Sequence, residues 1–334
     1  MRLTSLIVTG VAVTVVNGLS FIEARNAAFE YVSSSIEVFK RAVPELPKRE
    51  VVPRKNNCPA IWTTIVSDLN TMFLGSDGQC NDDARAAIRE CFHDCGTWDK
   101  TQGSTGGCDG SLILASEAYN RAENGGLQNI STKLTALSQK YPSVSIADLI
   151  IVASSVAIVT CPGGPRVQTY VGRKDSSTPA PNGRLPDAHA DAASLSVLFA
   201  NKGFDAVDLA ALIGAHSTSK AFTQPDMPFG AAQDSTPGLW DIDYYAQTLS
   251  TVANVFSFQA DRNLAGDATV GKEFKGFVGN KGKWNGKFAD AMARMQLLGV
   301  PGGSKNLLDC TNVIPRGTNN KREMRAAPIN DRIR

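Results

Sequence analysis

The chain has 334 residues, with 34 Lys and Arg against 32 Asp and Glu, and 43% of its residues are hydrophobic. That length supports one large domain, or two lobes around a shared core, with room for a buried cavity. The nearly balanced charge argues against a nucleic-acid-binding protein.

The N-terminal segment has the pattern of a secretory signal. An apolar run at residues 6–16 follows an early arginine and precedes small residues, which predicts a signal peptide over residues 1–20. The run is too short to cross a bilayer. The dibasic pair Lys48-Arg49 indicates a pro-segment at residues 21–49, although such a pair is also compatible with ordinary solvated charge. We therefore expect a secreted protein without a membrane anchor.

Helical periodicity dominates the rest of the chain. Gly- and Pro-rich stretches separate the periodic segments, and alternating patterns at 167–171 and 255–259 predict at most short strands. The sequence thus predicts a mainly α fold without repeats. Apolar residues three or four positions apart predict helices at 61–73, 84–92, 134–137, 146–159, 192–204, 207–215, 244–252 and 288–298.

Two of the three histidines lie where chemistry is plausible. His93 follows Arg89 by four residues, so both side chains fall on one helix face. A neutral imidazole beside a permanent cation resists protonation and remains available as a base. The same spacing also fits a surface helix. His216 ends an apolar helix, where it is either a metal ligand or a core histidine, and His189 is expected to be exposed.

Oxygen-rich clusters directly follow both of these histidines. Carboxylate, hydroxyl and carbonyl oxygens at short intervals suit a hard cation such as calcium, although the same residue types also form turns. The first cluster comprises Asp94, Gly107, Asp109 and Ser111, and the second comprises Ser217, Asp234, Thr236, Leu239 and Asp241.

Together these motifs resemble the haem peroxidases of the plant and fungal superfamily, and in particular their secreted, ligninase-related fungal branch. The resemblance extends from about Cys58 to Pro315. The stretches that carry it are residues 89–94 (RECFHD), 107–111 (GCDGS), 124–127 (NGGL), 161–163 (CPG), 214–217 (GAHS), 234–237 (DSTP), 308–310 (LDC) and 313–315 (VIP).

The resemblance implies a helical fold of two lobes enclosing haem b, with one calcium ion in each lobe. The peroxidase domain would span residues 50–315, divided into a distal lobe at 50–185 and a proximal lobe at 186–315. The composition of residues 316–334, with six basic and two acidic residues, separately predicts a disordered tail, although a basic tail could also bind an anionic surface.

The same resemblance assigns roles to single residues. His216 would bind the haem iron while Asp261 accepts its other ring N–H. On the distal side, His93 would move the peroxide proton and Arg89 would stabilise developing negative charge. Further contacts would come from Asn124 to His93, from Phe92 over the porphyrin, and from Pro186, next to Leu185, at the haem edge.

Seven cysteines in a secreted chain predict disulfides with one thiol left over. Spacing alone does not give their pairing. The resemblance implies Cys80–Cys161, Cys58–Cys310 and Cys95–Cys108, with Cys91 as a buried free thiol. A Cys91–Cys95 bond is the competing possibility.

Two specialised substrate sites are expected to be absent. Manganese-oxidising relatives use carboxylates at positions that match Asp82, Ala86 and Phe222, and relatives with a surface tryptophan carry it where Ala211 stands. Trp98 is either a packed loop residue or a surface electron donor. The sequence therefore predicts a monomeric peroxidase that uses hydrogen peroxide and small phenolic or dye-like donors.

Asn129 begins the one glycosylation sequon. A secreted protein that binds haem or calcium without turnover is the alternative, and a zinc or calcium hydrolase using His93 and Asp94 is a weaker one.

Overall fold

The computed structural model describes residues 58–101, 103–223 and 227–317, and helices dominate this part of the chain. The mainly α prediction is confirmed. The helices are α1 (Ile61–Phe73), α2 (Asp82–Cys95), α3 (Ser111–Leu114), α4 (Glu117–Asn120), α5 (Gln128–Lys140), α6 (Ile146–Thr160), α7 (Ala192–Asn201), α8 (Ala206–Ile213), α9 (Asp243–Thr248), α10 (Gln259–Gly266), α11 (Val270–Lys275) and α12 (Lys281–Met295).

Four two-residue strands form two small antiparallel sheets within the described residues. Strand β1 (Tyr170–Val171) pairs with β4 (Leu308–Asp309), and β2 (Lys220–Ala221) pairs with β3 (Ala231–Ala232). The second sheet begins four residues after His216, so it adjoins the candidate site along the chain.

Side-chain caps fix where several helices begin. Asn81 accepts a hydrogen bond from the backbone N–H of Ala84 at the start of α2. Asp205 and Asp208 form a reciprocal capping box at the start of α8. Such caps satisfy backbone donors that have no partner inside the helix and contribute about 1 kcal/mol each. The caps thereby fix where these two helices begin. Helix α2 contains His93, and α8 leads into the turn that contains His216.

Helix α6 forms the centre of the core, since each of its residues is buried. It packs against α1 and α2, while α8 packs against α11 and α12. A second centre of packing is aromatic, with the rings of Trp240 and Trp284 stacked at 5.0 Å and both side chains fully buried. Burying one large apolar side chain contributes about 1.5–3 kcal/mol, so both centres anchor the elements beneath the site.

The structure differs from the sequence prediction at the short elements. Residues 255–259 form no strand beyond a single bridge between Ala232 and Val255, and Gln259 instead begins α10. Helices α3, α4, α10 and α11 were not predicted. Each has eight residues or fewer, which displays at most about two helical turns, so their formation depends on the surrounding packing.

Three disulfides link the described segments, and they are the pairs that the resemblance implies: Cys58–Cys310, Cys80–Cys161 and Cys95–Cys108. Cys91 is a buried free thiol, so the Cys91–Cys95 alternative is wrong.

The predicted signal peptide and pro-segment, and the tail from residue 318 onward, lie outside the described residues. None of the described helices combines the length and the apolar character needed to cross a membrane.

Candidate active site

A cavity of about 1170 Å³ opens between the helices, and both His93 and His216 line it. Arg89, Phe92 and Pro186 line the same cavity. Its volume lies above the usual range of small-molecule pockets, about 300–1,000 Å³, which suits a large ligand. The fold therefore brings together two histidines that are 123 positions apart in the sequence.

Arg89 and His93 contact each other on one face of α2, as their spacing predicts. Nε of Arg89 donates to Nε2 of His93 at 3.2 Å. The two terminal nitrogens of the guanidinium donate to the backbone oxygens of Gly125 and Glu123 at 2.7 and 2.8 Å. The cation is thus held in place by the loop that follows α4.

Asn124 determines the tautomer of His93. Its Oδ1 lies 2.8 Å from Nδ1 of His93, and its Nδ2 donates to the backbone oxygen of Glu117 at 3.0 Å. Because the amide nitrogen is used by Glu117, the amide oxygen must face the imidazole and accept from it. Nδ1 of His93 therefore carries the proton, and Nε2 is left as a base beside Arg89.

Burial and charge both favour neutral His93. Desolvation, followed by the positive charge of Arg89, holds the pKa of His93 well below its usual value. Burial also lowers the pKa of Arg89 to about 10, which leaves the guanidinium charged at neutral pH. The pair accordingly combines an unprotonated base with a fixed cation.

His216 lies in a 3₁₀ turn, Gly214–Thr218, that continues from α8. Its Nδ1 is 3.2 Å from each carboxylate oxygen of Asp261, a fully buried residue in the first turn of α10. A Cβ on Gly214 would lie 2.2 Å from Oη of Tyr245 and 2.5 Å from Nε1 of Trp284. Glycine is therefore required for this turn to pack on the aromatic core.

Gln233 is a third member of this group, and sequence reasoning missed it. The side chain is fully buried, and its Nε2 donates to Asp261 Oδ2 at 2.7 Å and lies 3.3 Å from Nδ1 of His216. A single glutamine carries no signal in a sequence, so only the tertiary structure shows the contact.

The first oxygen-rich cluster converges around Asp94. This carboxylate is buried and accepts from the backbone N–H groups of Gly110 and Leu112. Burial, and then the nearby charge of Asp109, raise the pKa of Asp94 well above its usual value. The hydroxyl of Ser111 is buried there without a hydrogen-bond partner among the described residues. A bound cation would balance the buried negative charge of Asp94 and give the Ser111 hydroxyl oxygen a partner.

The second cluster has the same character. Burial and the neighbouring Asp241 raise the pKa of Asp234 to about 7. The Thr236 hydroxyl lies within hydrogen-bonding distance of both carboxylates, at 2.7 and 2.8 Å. The hydroxyl of Ser217 is buried and has no hydrogen-bond partner within the described chain. Among the described residues, neither cluster contains a set of three or more His, Cys, Asp or Glu side chains arranged as metal ligands, so hydroxyl and carbonyl oxygens would have to complete it.

Four further predicted positions can be placed. Asp82, Ala86 and Phe222 line the same cavity, and Asp82 pairs with Arg85 and Lys220. Ala211 is fully buried.

Trp98 and His189 are the remaining two positions. Trp98 is half-buried and its Nε1 donates to the backbone oxygen of Gly103 at 2.8 Å, which fits a packed loop residue. His189 is exposed, as expected, and it also lines the cavity.

Comparison with known proteins decides the family. The sequence model described as Peroxidase matches residues 68–280. The chain belongs to the peroxidase family. It is 28% identical over 318 residues to manganese peroxidase 3 of Phlebia radiata, covering 86% of each chain. It is 28% identical over 301 residues to a peroxidase of Arthromyces ramosus, covering 82% of this chain and 79% of the relative.

A ligninase of Phanerodontia chrysosporium, LG5, is 29% identical over 290 residues, with 80% of this chain and 76% of the relative covered. Family membership makes the chain a peroxidase, an oxidoreductase that acts on peroxide and a reducing substrate.

Proposed function

We propose that this protein is a secreted haem peroxidase that reduces hydrogen peroxide to water and oxidises small phenolic or dye-like donors one electron at a time. The observation that carries the proposal is the shared cavity, in which His93 and His216 both have a hydrogen-bonded partner on Nδ1. This arrangement leaves Nε2 of one ring as a base and Nε2 of the other as a metal ligand.

The residues present fit haem b. The hydrogen bonds of His216 run through Nδ1, so Asp261 orients the ring for coordination through Nε2 and makes it a stronger donor. Phe92 and Pro186 offer apolar surface in the same cavity. When bound, haem would supply the iron that activates peroxide and stores its oxidising equivalents.

The chain itself would carry out the proton transfers. Nε2 of His93 accepts a proton from the near oxygen of peroxide and returns it to the departing oxygen. Asn124 keeps the ring oriented by accepting from Nδ1 throughout. Arg89, positioned by two backbone carbonyls, stabilises the negative charge on the leaving oxygen.

We also propose one calcium ion at each oxygen-rich cluster. The buried, unpaired hydroxyls of Ser111 and Ser217 and the elevated pKa values of Asp94 and Asp234 support this assignment. Asp94 adjoins His93 and Ser217 adjoins His216. Calcium would therefore hold the chain in place next to each of the two histidines. The ligand sets would be Asp94, Gly107, Asp109 and Ser111 in the distal site, and Ser217, Asp234, Thr236, Leu239 and Asp241 in the proximal site.

The substrate would bind where the cavity reaches solvent near Leu185 and Pro186. A manganese site is not expected, because the single carboxylate among its three matching positions, Asp82, is neutralised by Arg85 and Lys220. A surface-tryptophan route is not expected either, because Ala211 is a buried alanine. Small organic donors at the cavity edge remain.

Secretion and domain limits complete the proposal. Disulfides persist in oxidising compartments, and Asn129 of the sequon is exposed, which supports a secreted and glycosylated protein. We also propose that it acts as a monomer. The catalytic domain would span residues 50–315, with its distal lobe at 50–185 and its proximal lobe at 186–315, after loss of residues 1–20 and 21–49.

The test is peroxide reduction by purified, haem-loaded protein. His93→Leu should retain the Soret band and slow peroxide reduction by about 10²–10⁴-fold, the usual contribution of general acid–base catalysis. His189→Leu, which removes the exposed histidine of the cavity lining, is the matched control and should reduce peroxide at the normal rate. Absence of Soret absorption in loaded protein, or near-normal rates for His93→Leu, would overturn the proposal.

A further inference from the structure

Gln233 is the least expected group in the proximal site. Its amide contacts both members of the His216–Asp261 pair, at 3.3 Å from Nδ1 of His216 and 2.7 Å from Oδ2 of Asp261. The side chain is fully buried. The inference below rests on the proposed function, in which His216 is the iron ligand.

The backbone holds Gln233 rigidly between the two segments that carry this pair. Its N–H donates to the backbone oxygen of Ser219, three residues after His216, at 3.1 Å. Its neighbour Ala232 accepts from the N–H of Phe256, five residues before Asp261, at 3.0 Å. The backbone of Gln233 is therefore fixed relative to both segments that carry the pair.

The amide can face Asp261 in one orientation only. An ionised carboxylate accepts hydrogen bonds and does not donate them, so Nε2 must point toward it. Oε1 of Gln233 is then buried without a hydrogen-bond partner among the described residues. Leaving such an acceptor unpaired costs about 1–3 kcal/mol. An apolar side chain of the same length would avoid this cost, so the glutamine is poorly explained by packing alone.

We propose that Gln233 is a positioning residue that moderates the electron donation of His216 to the bound iron. Its hydrogen bond draws negative charge from the carboxylate that Nδ1–H of His216 also uses. Because Gln233 also donates to the carboxylate, Asp261 is a weaker acceptor for the Nδ1–H of His216. The Nδ1 proton therefore stays on the imidazole ring, and Nε2 is a weaker electron donor to the iron. The bound iron therefore becomes a stronger oxidant than the His216–Asp261 pair alone would make it.

The direct test is the ferric/ferrous midpoint potential of haem-loaded Gln233→Met, which keeps the length of the side chain and removes the donor. We expect the reduction equilibrium constant to fall by about tenfold, which is about 59 mV toward negative potential for a one-electron couple. Gln296→Met is the matched control. Gln296 is also buried with its Oε1 unpaired, but its Nε2 donates to Ser155.

The control variant should leave the potential unchanged. An unchanged or more positive potential in Gln233→Met would overturn the inference, as would an equal shift in both variants. Gln233→Asn keeps a polar amide but is one methylene shorter, so it should reproduce the negative shift if the Met variant folds poorly.

A second readout needs no haem. In haem-free protein, the Nδ1 proton of His216, assigned by its loss in His216→Ala, should move to lower field in the NMR spectrum of Gln233→Met, because the contact with Asp261 strengthens. A signal that stays in place contradicts the inference. Failure of the proposed function looks different: His216→Ala would then bind haem with the same spectrum as the unsubstituted protein.

Discussion

Asn124→Leu tests how much of the peroxide reaction depends on the orientation of His93. The substitution removes the acceptor 2.8 Å from Nδ1 of His93 and the donor to Glu117. A neutral hydrogen bond contributes about 0.5–1.5 kcal/mol, and one to a charged group about 1.5–3 kcal/mol. The bond between Asn124 and His93 therefore strengthens by about 1–1.5 kcal/mol when the ring takes up the peroxide proton, according to the same ranges.

Loss of this differential stabilisation should lower kcat/KM for peroxide by about tenfold. The pKa of His93 should move further down, because the hydrogen bond to Asn124 is the contribution that raises it. The fold should also lose about 1–3 kcal/mol for the unpaired oxygen of Glu117. Stopped-flow mixing with peroxide over a pH series measures the first two effects, and thermal unfolding measures the third.

Asn285→Leu is the matched control. Asn285 likewise bridges a ring N–H and a backbone oxygen, accepting from Trp240 at 3.1 Å and donating to Gly163 at 3.1 Å. It should lose comparable stability and keep the peroxide rate. A change of less than twofold in Asn124→Leu, or an equal loss in both variants, would refute the orienting role of Asn124.

Three further outcomes are expected. The rate of peroxide reduction should stay flat as pH falls through about 6.5, the ordinary pKa of histidine, because burial and Arg89 depress the pKa of His93; a stopped-flow profile that drops near that pH contradicts this. On the chain-entropy model, opening the Cys95–Cys108 loop should cost about 3 kcal/mol and opening the Cys58–Cys310 loop about 5.5 kcal/mol. Urea unfolding of the Cys→Ser variants measures which loss is larger. Burial raises the pKa of Glu90 to about 8, so between about pH 4.5 and 8 the folded state holds a proton that the unfolded state has released. Glu90→Gln keeps the acceptor for Ser131, and its free energy of unfolding relative to the unsubstituted protein should rise by about 1.4 kcal/mol per pH unit over this range. A difference in unfolding free energy that stays constant with pH would contradict this.

The local part of the site could be predicted from the sequence. Arg89 and His93 lie four positions apart on a helix, so their contact follows from helical geometry. Most of the longer helices were predicted for the same reason, but the apolar period covers only residues 134–137 of α5 and begins seven residues after the start of α12. The motifs around both histidines were specific enough to indicate the family and its cofactor.

Only the tertiary structure decided which distant groups meet. Asn124 reaches His93 across 31 positions and Asp261 reaches His216 across 45. The resemblance named both partners, but no local pattern encodes such contacts. The first depends on how the loop after α4 packs on α2, and the second on how α8 and α10 pack together. The contacts of Gln233 with His216 and Asp261 are of the same kind, and no sequence motif indicates them. The sequence by itself thus determined which helix faces carry the chemistry, and the packing of those helices determined the hydrogen bonds that orient it.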